Sequence, residues 1–360
     1  LRSRRTRGEG SVFFSRSEKT WIAEITLPDG SRKRKRSKDK QVVTQWLFEQ
    51  RKVVSERGSL PDDKVTFAQF ADRFMEDVAK HTLKEKTYIT YESYLKLHLL
   101  PDLGNQKLNA ITAQQIQRLY TRKLNAGLSK KTVHHIHSTL RRVLNEAVKW
   151  ELIHRNPCDS VTPPRVIQRP PTVWSIEQAQ TFLRATAEHK WHAIYLIALS
   201  TGARRGEILG MEWQNLNWTR STITIEKTIS EIKGRAVVTS PKTKTSRRVI
   251  VLPKVVIDLL KENKKSSGFI FQSEALTPIS PRNLLRDFYS ILATLDIPKI
   301  RFHDLRHTAA TILLTKDVHP KKVQELLGHA SIVQTLDVYS HYIQGADTQT
   351  AKEMDLIFGP

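Results

Sequence analysis

Arg301-Phe-His-Asp-Leu-Arg-His307 is the stretch on which the reading of this chain turns. It sets His303 and Arg306 three residues apart, the spacing that brings two side chains to one face of a helix. Downstream, Leu326-Leu-Gly-His-Ala-Ser-Ile332 places His329 just past Gly328, a residue suited to ending a helix. Leu336-Asp-Val-Tyr-Ser-His341 then offers Tyr339. Upstream, Ser200-Thr-Gly-Ala-Arg-Arg-Gly-Glu-Ile-Leu209 puts Arg204 shortly after a glycine, where a helix begins. Between them, Pro241-Lys-Thr-Lys-Thr-Ser-Arg-Arg-Val249 reads as a cation-rich β-hairpin turn carrying Lys242 and Lys244. Taken singly, each has a plain explanation. Arg204 and Glu207 could be an i, i+3 surface ion pair, His329 a surface histidine at a helix end, and Tyr339 a core tyrosine beside Ile332 and Leu336.

The surrounding pattern is helical with short strands. Ser175-Ile-Glu-Gln178 is a capping box that opens the C-terminal region. Strand-like segments follow at 221–229, 236–239 and 249–252, and helices return from Pro281 onward. Trp174, Trp191, Trp213 and Trp218 read as core or interface aromatics. Two prolines at 163–164 and two at 170–171 bracket a linker. Before it, Phe67, Phe70, Phe74 and Val78 form one helical face, and amphipathic stretches at 88–99, 113–124 and 131–150 complete a module of about four helices. Its polar faces carry Lys130, Lys131, Arg141 and Arg142 among other cations. Nearer the start, 11–16 and 20–27 alternate like strands, Pro28-Asp29-Gly30 is a turn signal, and 31–37 is the returning strand with Arg32, Lys33, Arg34, Lys35 and Arg36. Gln41–Arg57 reads as a helix packed on that sheet.

The expected class is therefore α+β and multidomain. A small three-stranded β-sheet plus helix (1–57) precedes a linker (58–64), a helical bundle (65–160), a second linker (161–172) and a mostly α domain with a small antiparallel sheet (173–360). Composition narrows the partners. Lys and Arg number 59 against 36 Asp and Glu, a net charge of +23, and 13 of those cations fall in residues 1–40 against 5 acids. Such a surplus favours a polyanion through counterion release, with nucleic acid ahead of an anionic membrane. No apolar stretch is long enough to span a bilayer, and the opening Leu-Arg-Ser-Arg-Arg lacks a signal peptide's apolar core. A single cysteine, Cys158, allows neither an intrachain disulfide nor a cysteine-rich zinc site, which points to a reducing interior compartment.

Arg204, a lysine of the 242–244 turn, His303 with Arg306, His329 and Tyr339 recur in the order and approximate spacing by which the chain resembles the tyrosine recombinases, and within them the phage and integrative-element integrases. Specificity lies in the combination, six matches in order over 136 residues. Ala203 and Gly206 stand where that family often has a larger residue and a serine, and neither departure removes a chemical group. The resemblance implies that Arg204, Lys244, His303, Arg306 and His329 are catalytic, with Tyr339 as nucleophile and Glu207 supporting Arg204. Lys242 is the alternative lysine, Tyr342 the competing tyrosine, and His307 is expected to be structural. It further implies an arm-type DNA-binding domain at the N-terminus, whose contact surface is the basic edge 31–37, and a core-site binding domain in the helical module. Double-stranded DNA is the expected partner, bound by a homotetramer with accessory DNA-bending or directionality proteins, in a bacterial cytoplasm at the nucleoid. A type IB topoisomerase or a non-catalytic DNA-binding regulator is the alternative.

The chemistry of that set is intelligible from the residues. Attack on a phosphodiester builds negative charge on two non-bridging oxygens, which two guanidinium groups can clamp in place of metal ions. A phenol with a pKa of about 10 is a weak nucleophile at neutral pH, and a nearby imidazole can accept its proton. A lysine can supply the proton that the departing 5′-oxygen needs. A phosphotyrosyl bond conserves the energy of the broken phosphodiester, so no nucleotide cofactor and no metal is expected. The chain carries no P-loop and no paired carboxylates with metal-ligand spacing.

Overall fold

The computed structural model describes residues 10–26, 32–57, 65–167, 170–239, 247–328 and 331. It divides into two compact units, Leu1–Ile167 and Gln168–Pro360.

In the first unit, β1 (Ser11–Ser15), β2 (Thr20–Thr26) and β3 (Arg32–Ser37) form an antiparallel sheet in that order. Helix α1 (Lys40–Arg57) packs on it through Val43 and Leu47, which meet Ala23 and Ile25 in a small core. The register pairs Ala23 with Lys35 and Ile25 with Lys33, whereas Glu24 faces Arg34 and Thr26 faces Arg32. Because side chains alternate across a strand, Arg32, Arg34 and Arg36 share the face away from α1. Glu24 pairs with Arg34 and, at 3.3 Å, with Arg32, so part of this positive face is neutralised internally. The expected turn at residues 28–30 lies outside the described residues.

The helical part begins at Thr66, whose hydroxyl accepts from the Gln69 amide while the Gln69 side chain returns to Thr66 N–H. Helix α2 (Phe67–Arg73) continues through a π-helical turn, Phe74–Ala79, into α3 (Lys80–Thr82). Helix α4 (Glu85–Tyr94) continues likewise through Leu95–Leu99 into α5 (Leu100–Leu103). A second capping box at Thr112 opens α6 (Ala113–Asn125), and Ser129 caps α7 (Lys130–Lys149). Phe67, Phe70, Phe74, Leu99, Ile116 and Leu140 are fully buried between them, and Val78 packs at the margin. Arg141 pairs with Asp159 at 2.9 Å, while Lys130, Lys131 and Arg142 are exposed.

The second unit is built on α9 (His192–Thr201), apolar on nearly every side and buried from Ile194 to Leu199. Around it lie α8 (Ile176–Ala185), opened by the expected Ser175–Gln178 capping box, then α10 (Arg205–Leu209), α11 (Lys254–Lys261), α12 (Pro281–Ala293), α13 (Asp304–Thr315) and α14 (Pro320–Leu327). Trp174 and Trp213 are buried in this core, with Trp191 and Trp218 at its margin.

The strands differ from the sequence reading in two ways. The expected strand 221–229 is two strands, β5 (Thr222–Thr224) and β6 (Thr228–Ile232), in different sheets. The order β4 (Leu216–Asn217), β5, β8 (Val249–Val251) forms one sheet, and β6 with β7 (Arg235–Thr239) forms a separate ribbon. The break has a packing cause. A Cβ on Gly206 would lie 2.5 Å from Thr228 Oγ1 and 2.6 Å from Ile229 O, and one on Gly210 would lie 2.5 Å from Lys227 O. The chain leaves the first sheet to run against α10 at the closest approach that two glycines permit. The second correction follows. Because β7 pairs with β6 and β8 with β5, the two described strands that flank the cationic segment are not paired with each other, and residues 241–246 lie outside the described residues. Lys242 and Lys244 themselves lie outside the described residues.

Candidate active site

Three chain segments converge at the C-terminal end of α9. Helix α9 ends at Gly202, whose φ of +63° is the left-handed conformation a helix terminus favours for glycine. Its carbonyl accepts from Arg306 Nη1 at 2.8 Å. Arg306 stands in the first turn of α13 with only 3% of its surface exposed, so its charge is held at depth against backbone. Two residues past Gly202, Arg204 occupies the N-cap of α10. Glu207, one turn on, accepts from Arg204 N at 2.9 Å and from Arg204 Nη1 at 2.8 Å. Arg204 also donates to Gly328 O at 3.3 Å, yet keeps 37% of its side chain open. The i, i+3 pair is present, but its carboxylate is buried, so it is not a surface ion pair.

Glu207 is 3% exposed and serves a second arginine. Arg248 donates to both of its oxygens, Nη1 to Oε1 at 3.1 Å and Nη2 to Oε2 at 3.0 Å, in a bidentate fork. Burial would raise the Glu207 pKa, but Arg248 and Arg204 outweigh it and hold the carboxylate below its usual range. Arg248 Nε reaches Leu326 O at 3.0 Å, in the last turn of α14. That helix ends at Gly328 with φ +67°, as its sequence suggested.

His303 is the N-cap residue of α13 and lies on the exposed surface. Its ring meets His307 edge to face at 5.3 Å between centroids. Partial loss of hydration, then the nearby His307 and Arg306, and more weakly Arg204, push its pKa down to about 4, against a smaller upward pull from Asp304. The imidazole is therefore neutral at physiological pH and can accept a proton. Asp304 is turned away from this work. Burial would raise its pKa, but hydrogen bonds at 2.7 Å and 3.0 Å from the Arg301 side chain, with one from Arg301 N–H, hold it low.

Of the residues singled out in the sequence, Arg204, Glu207, His303 and Arg306 are brought together. His329 and Tyr339 lie outside the described residues, as do the two candidate lysines. Arg248 is the member that sequence reasoning passed over. A strand period of two puts Arg248 on the same face as the buried Ile250, but Val249, Ile250 and Val251 are all apolar, so the sequence does not show which face is inward. An arginine on an inward face demands a buried anion. Among the described residues no group of three or more His, Cys, Asp or Glu side chains could hold a metal ion. Nor is any described helix long and apolar enough to cross a membrane.

Comparison with known proteins gives this geometry a context. The Phage integrase family pattern matches residues 175–344, and that of the phage integrase N-terminal SAM-like domain matches 66–124. A tyrosine recombinase XerC-like protein of Caldanaerobacter subterraneus is 28% identical, covering 82% of this chain and 84% of the relative. The Tn1549 transposon integrase, solved in complex with a circular intermediate DNA, superposes with a TM-score of 0.69 at 20% identity, covering 81% of this chain and all of that one. A lambda integrase tetramer bound to a Holliday junction gives 0.60 at 20% identity over 94% of this chain and 97% of that one. The chain belongs to the phage integrase family of tyrosine recombinases, enzymes of site-specific DNA recombination.

Proposed function

We propose that this enzyme integrates and excises a mobile element by cutting and rejoining duplex DNA through a 3′-phosphotyrosine at Tyr339. The observation that carries the reading is the convergence of Arg204 and Arg306 with His303. Two guanidinium groups separated by a hundred residues of chain are fixed to the Gly202 turn and to Glu207. They form a preorganised clamp for the two non-bridging oxygens of a scissile phosphate. His303 accepts the phenolic proton as the Tyr339 oxygen bonds to phosphorus. The bond from phosphorus to the 5′-oxygen breaks, and Lys244 (or Lys242) supplies that oxygen with a proton. His329, which directly follows Gly328, donates a hydrogen bond to the phosphate. A 5′-hydroxyl from a second duplex then attacks the phosphotyrosine and restores a phosphodiester.

The remaining parts of the chain fit DNA as partner. Residues 65–160, with Lys130, Lys131, Arg141 and Arg142, bind core sites together with residues 173–360. Residues 1–57 bind arm sites through Arg32, Lys33, Arg34, Lys35 and Arg36. Four copies act on two duplexes through a four-way junction, with accessory bending or directionality proteins setting the outcome, in a bacterial cytoplasm at the nucleoid. The experiment uses two differently labelled duplexes bearing a core sequence selected by the chain from a random pool. Exchanged products, together with a protein–DNA adduct on a denaturing gel that Tyr339→Phe abolishes, are expected. Relaxation of supercoiled DNA without exchange would indicate a topoisomerase, and binding without any adduct a regulator.

A further inference from the structure

We infer that Arg248 is a positioning residue for strand cleavage: it acts through Glu207 to aim Arg204, and it makes that aim depend on the docking of α14. The inference rests on the recombinase reading above. Among the described residues, the Arg248 side chain hydrogen-bonds to none of the groups proposed to meet DNA. Its three described side-chain hydrogen bonds go to the two oxygens of Glu207 and to Leu326 O. Glu207 is the group that holds the Arg204 backbone N–H and guanidinium. Arg204 in turn reaches Gly328 O. The contacts close a ring: Arg248 grips the last turn of α14, Glu207 joins Arg248 to Arg204, and Arg204 grips the residue that ends α14. The ring is tightly packed. A Cβ on Gly328 would lie 3.1 Å from both Cδ and Nη1 of Arg248.

This geometry uses what an arginine has and a lysine lacks. One planar fork serves both carboxylate oxygens while its Nε–H points elsewhere. If α14 withdraws, the Leu326 and Gly328 carbonyls leave with it, and each guanidinium loses one acceptor and is left with Glu207 alone. His329 follows Gly328 in the chain, so the helix end that delivers a proposed phosphate donor is also what orders Arg204. The site is thereby assembled as a unit, with Arg204 aimed when α14 is home.

The test uses the full chain with Arg248→Gln and Arg248→Lys, on a nicked duplex carrying the selected core sequence. Three readouts separate positioning from bulk folding. Duplex binding by mobility shift is expected to stay within about threefold of wild type, because no phosphate contact is removed. The rate of covalent adduct formation is expected to fall on the order of 100-fold, the scale of a small misplacement at a reacting centre. On a duplex whose scissile phosphate carries a methyl group in place of one non-bridging oxygen, the loss is expected to shrink below about tenfold. That neutral phosphate has little need of an aimed Arg204. Arg248→Lys keeps a cation beside Glu207 and is expected to recover thermal stability more fully than rate. It carries the test alone should Arg248→Gln not fold. An unchanged rate, or the same fractional loss on charged and neutral phosphates, overturns the inference. A wild-type chain that forms no adduct overturns the recombinase reading and takes the inference with it.

Discussion

Replacing Glu207 by glutamine removes one negative charge and almost no volume, and the structure sets the size of the result. The carboxylate is 3% exposed and accepts four hydrogen bonds from two arginines. In Glu207→Gln an amide NH2 takes the place of one oxygen and meets a guanidinium N–H, donor against donor. Arg248, with 9% of its side chain exposed, is left as a buried cation without its anion. Breaking a buried pair in this way costs roughly 3–5 kcal/mol. For a unit of this size, at roughly 2–4 °C per kcal/mol, that lowers the melting temperature by roughly 6–20 °C. Calorimetry of wild type and variant checks the figure. The sign with pH is also fixed. The folded pKa of Glu207 lies below its ordinary value of 4.5, so its contribution is complete above that value and is lost as pH falls through the folded pKa. The variant's melting temperature is therefore expected to fall less steeply with acid below about pH 4.5 than wild type's. A Glu207→Gln chain within about 1 kcal/mol of wild type, with an unchanged acid limb, would refute the reasoning, since the carboxylate would then not be the anchor of both arginines.

Three further outcomes are expected. Gly206→Ala pushes a methyl group onto Thr228 and Ile229 and is expected to cost roughly 1–3 kcal/mol in a denaturant titration; no loss would mean that α10 is free to shift from β6. The His303 imidazole is expected to titrate by NMR near pH 4 in the DNA-free chain, against 6.5 for an ordinary histidine. Its folded pKa being depressed, it contributes stability that is full above 6.5 and is lost as pH falls towards about 4; a midpoint at or above 6.5 would remove the neutral base from the scheme. Lys244→Ala is expected to slow cleavage by roughly 10²–10⁴-fold and to be rescued by sulfur in place of the 5′-bridging oxygen, because a thiolate leaves without a proton. If Lys242→Ala shows that rescue instead, the general acid is the other lysine.

Much of this was legible because the controlling forces are local. The capping box at Ser175 is read from side chains three apart, and the helix end at Gly328 from glycine's tolerance of positive φ. The N-terminal sheet was visible from alternation together with the turn signal at Pro28-Asp29-Gly30. What escaped was set by distance in the chain. No local signal says that residues 221–229 must break into two strands, because the cause is α10 pressing on them through Gly206 and Gly210. The segment 241–249 looked like a hairpin turn because it has turn residues between two strands, and only tertiary pairing shows that β7 and β8 on either side of it take other partners. Arg248 escaped for a related reason. An arginine followed by alternating valine and isoleucine looks like a solvated strand end until a carboxylate 41 residues earlier is placed against it. Arg204 and Arg306 were found as chemistry, through a resemblance, whereas the turn at Gly202 that fixes one beside the other belongs to tertiary packing.

The central claim is that the phenol of Tyr339 becomes bonded to DNA, and mass spectrometry of the trapped adduct tests it most directly. Trypsin releases residues 323–352 as one peptide carrying both Tyr339 and Tyr342. Fragmentation of that peptide after nuclease trimming is expected to place the nucleotide mass on Tyr339. The mass on Tyr342, or on a serine elsewhere in the chain, would contradict the account.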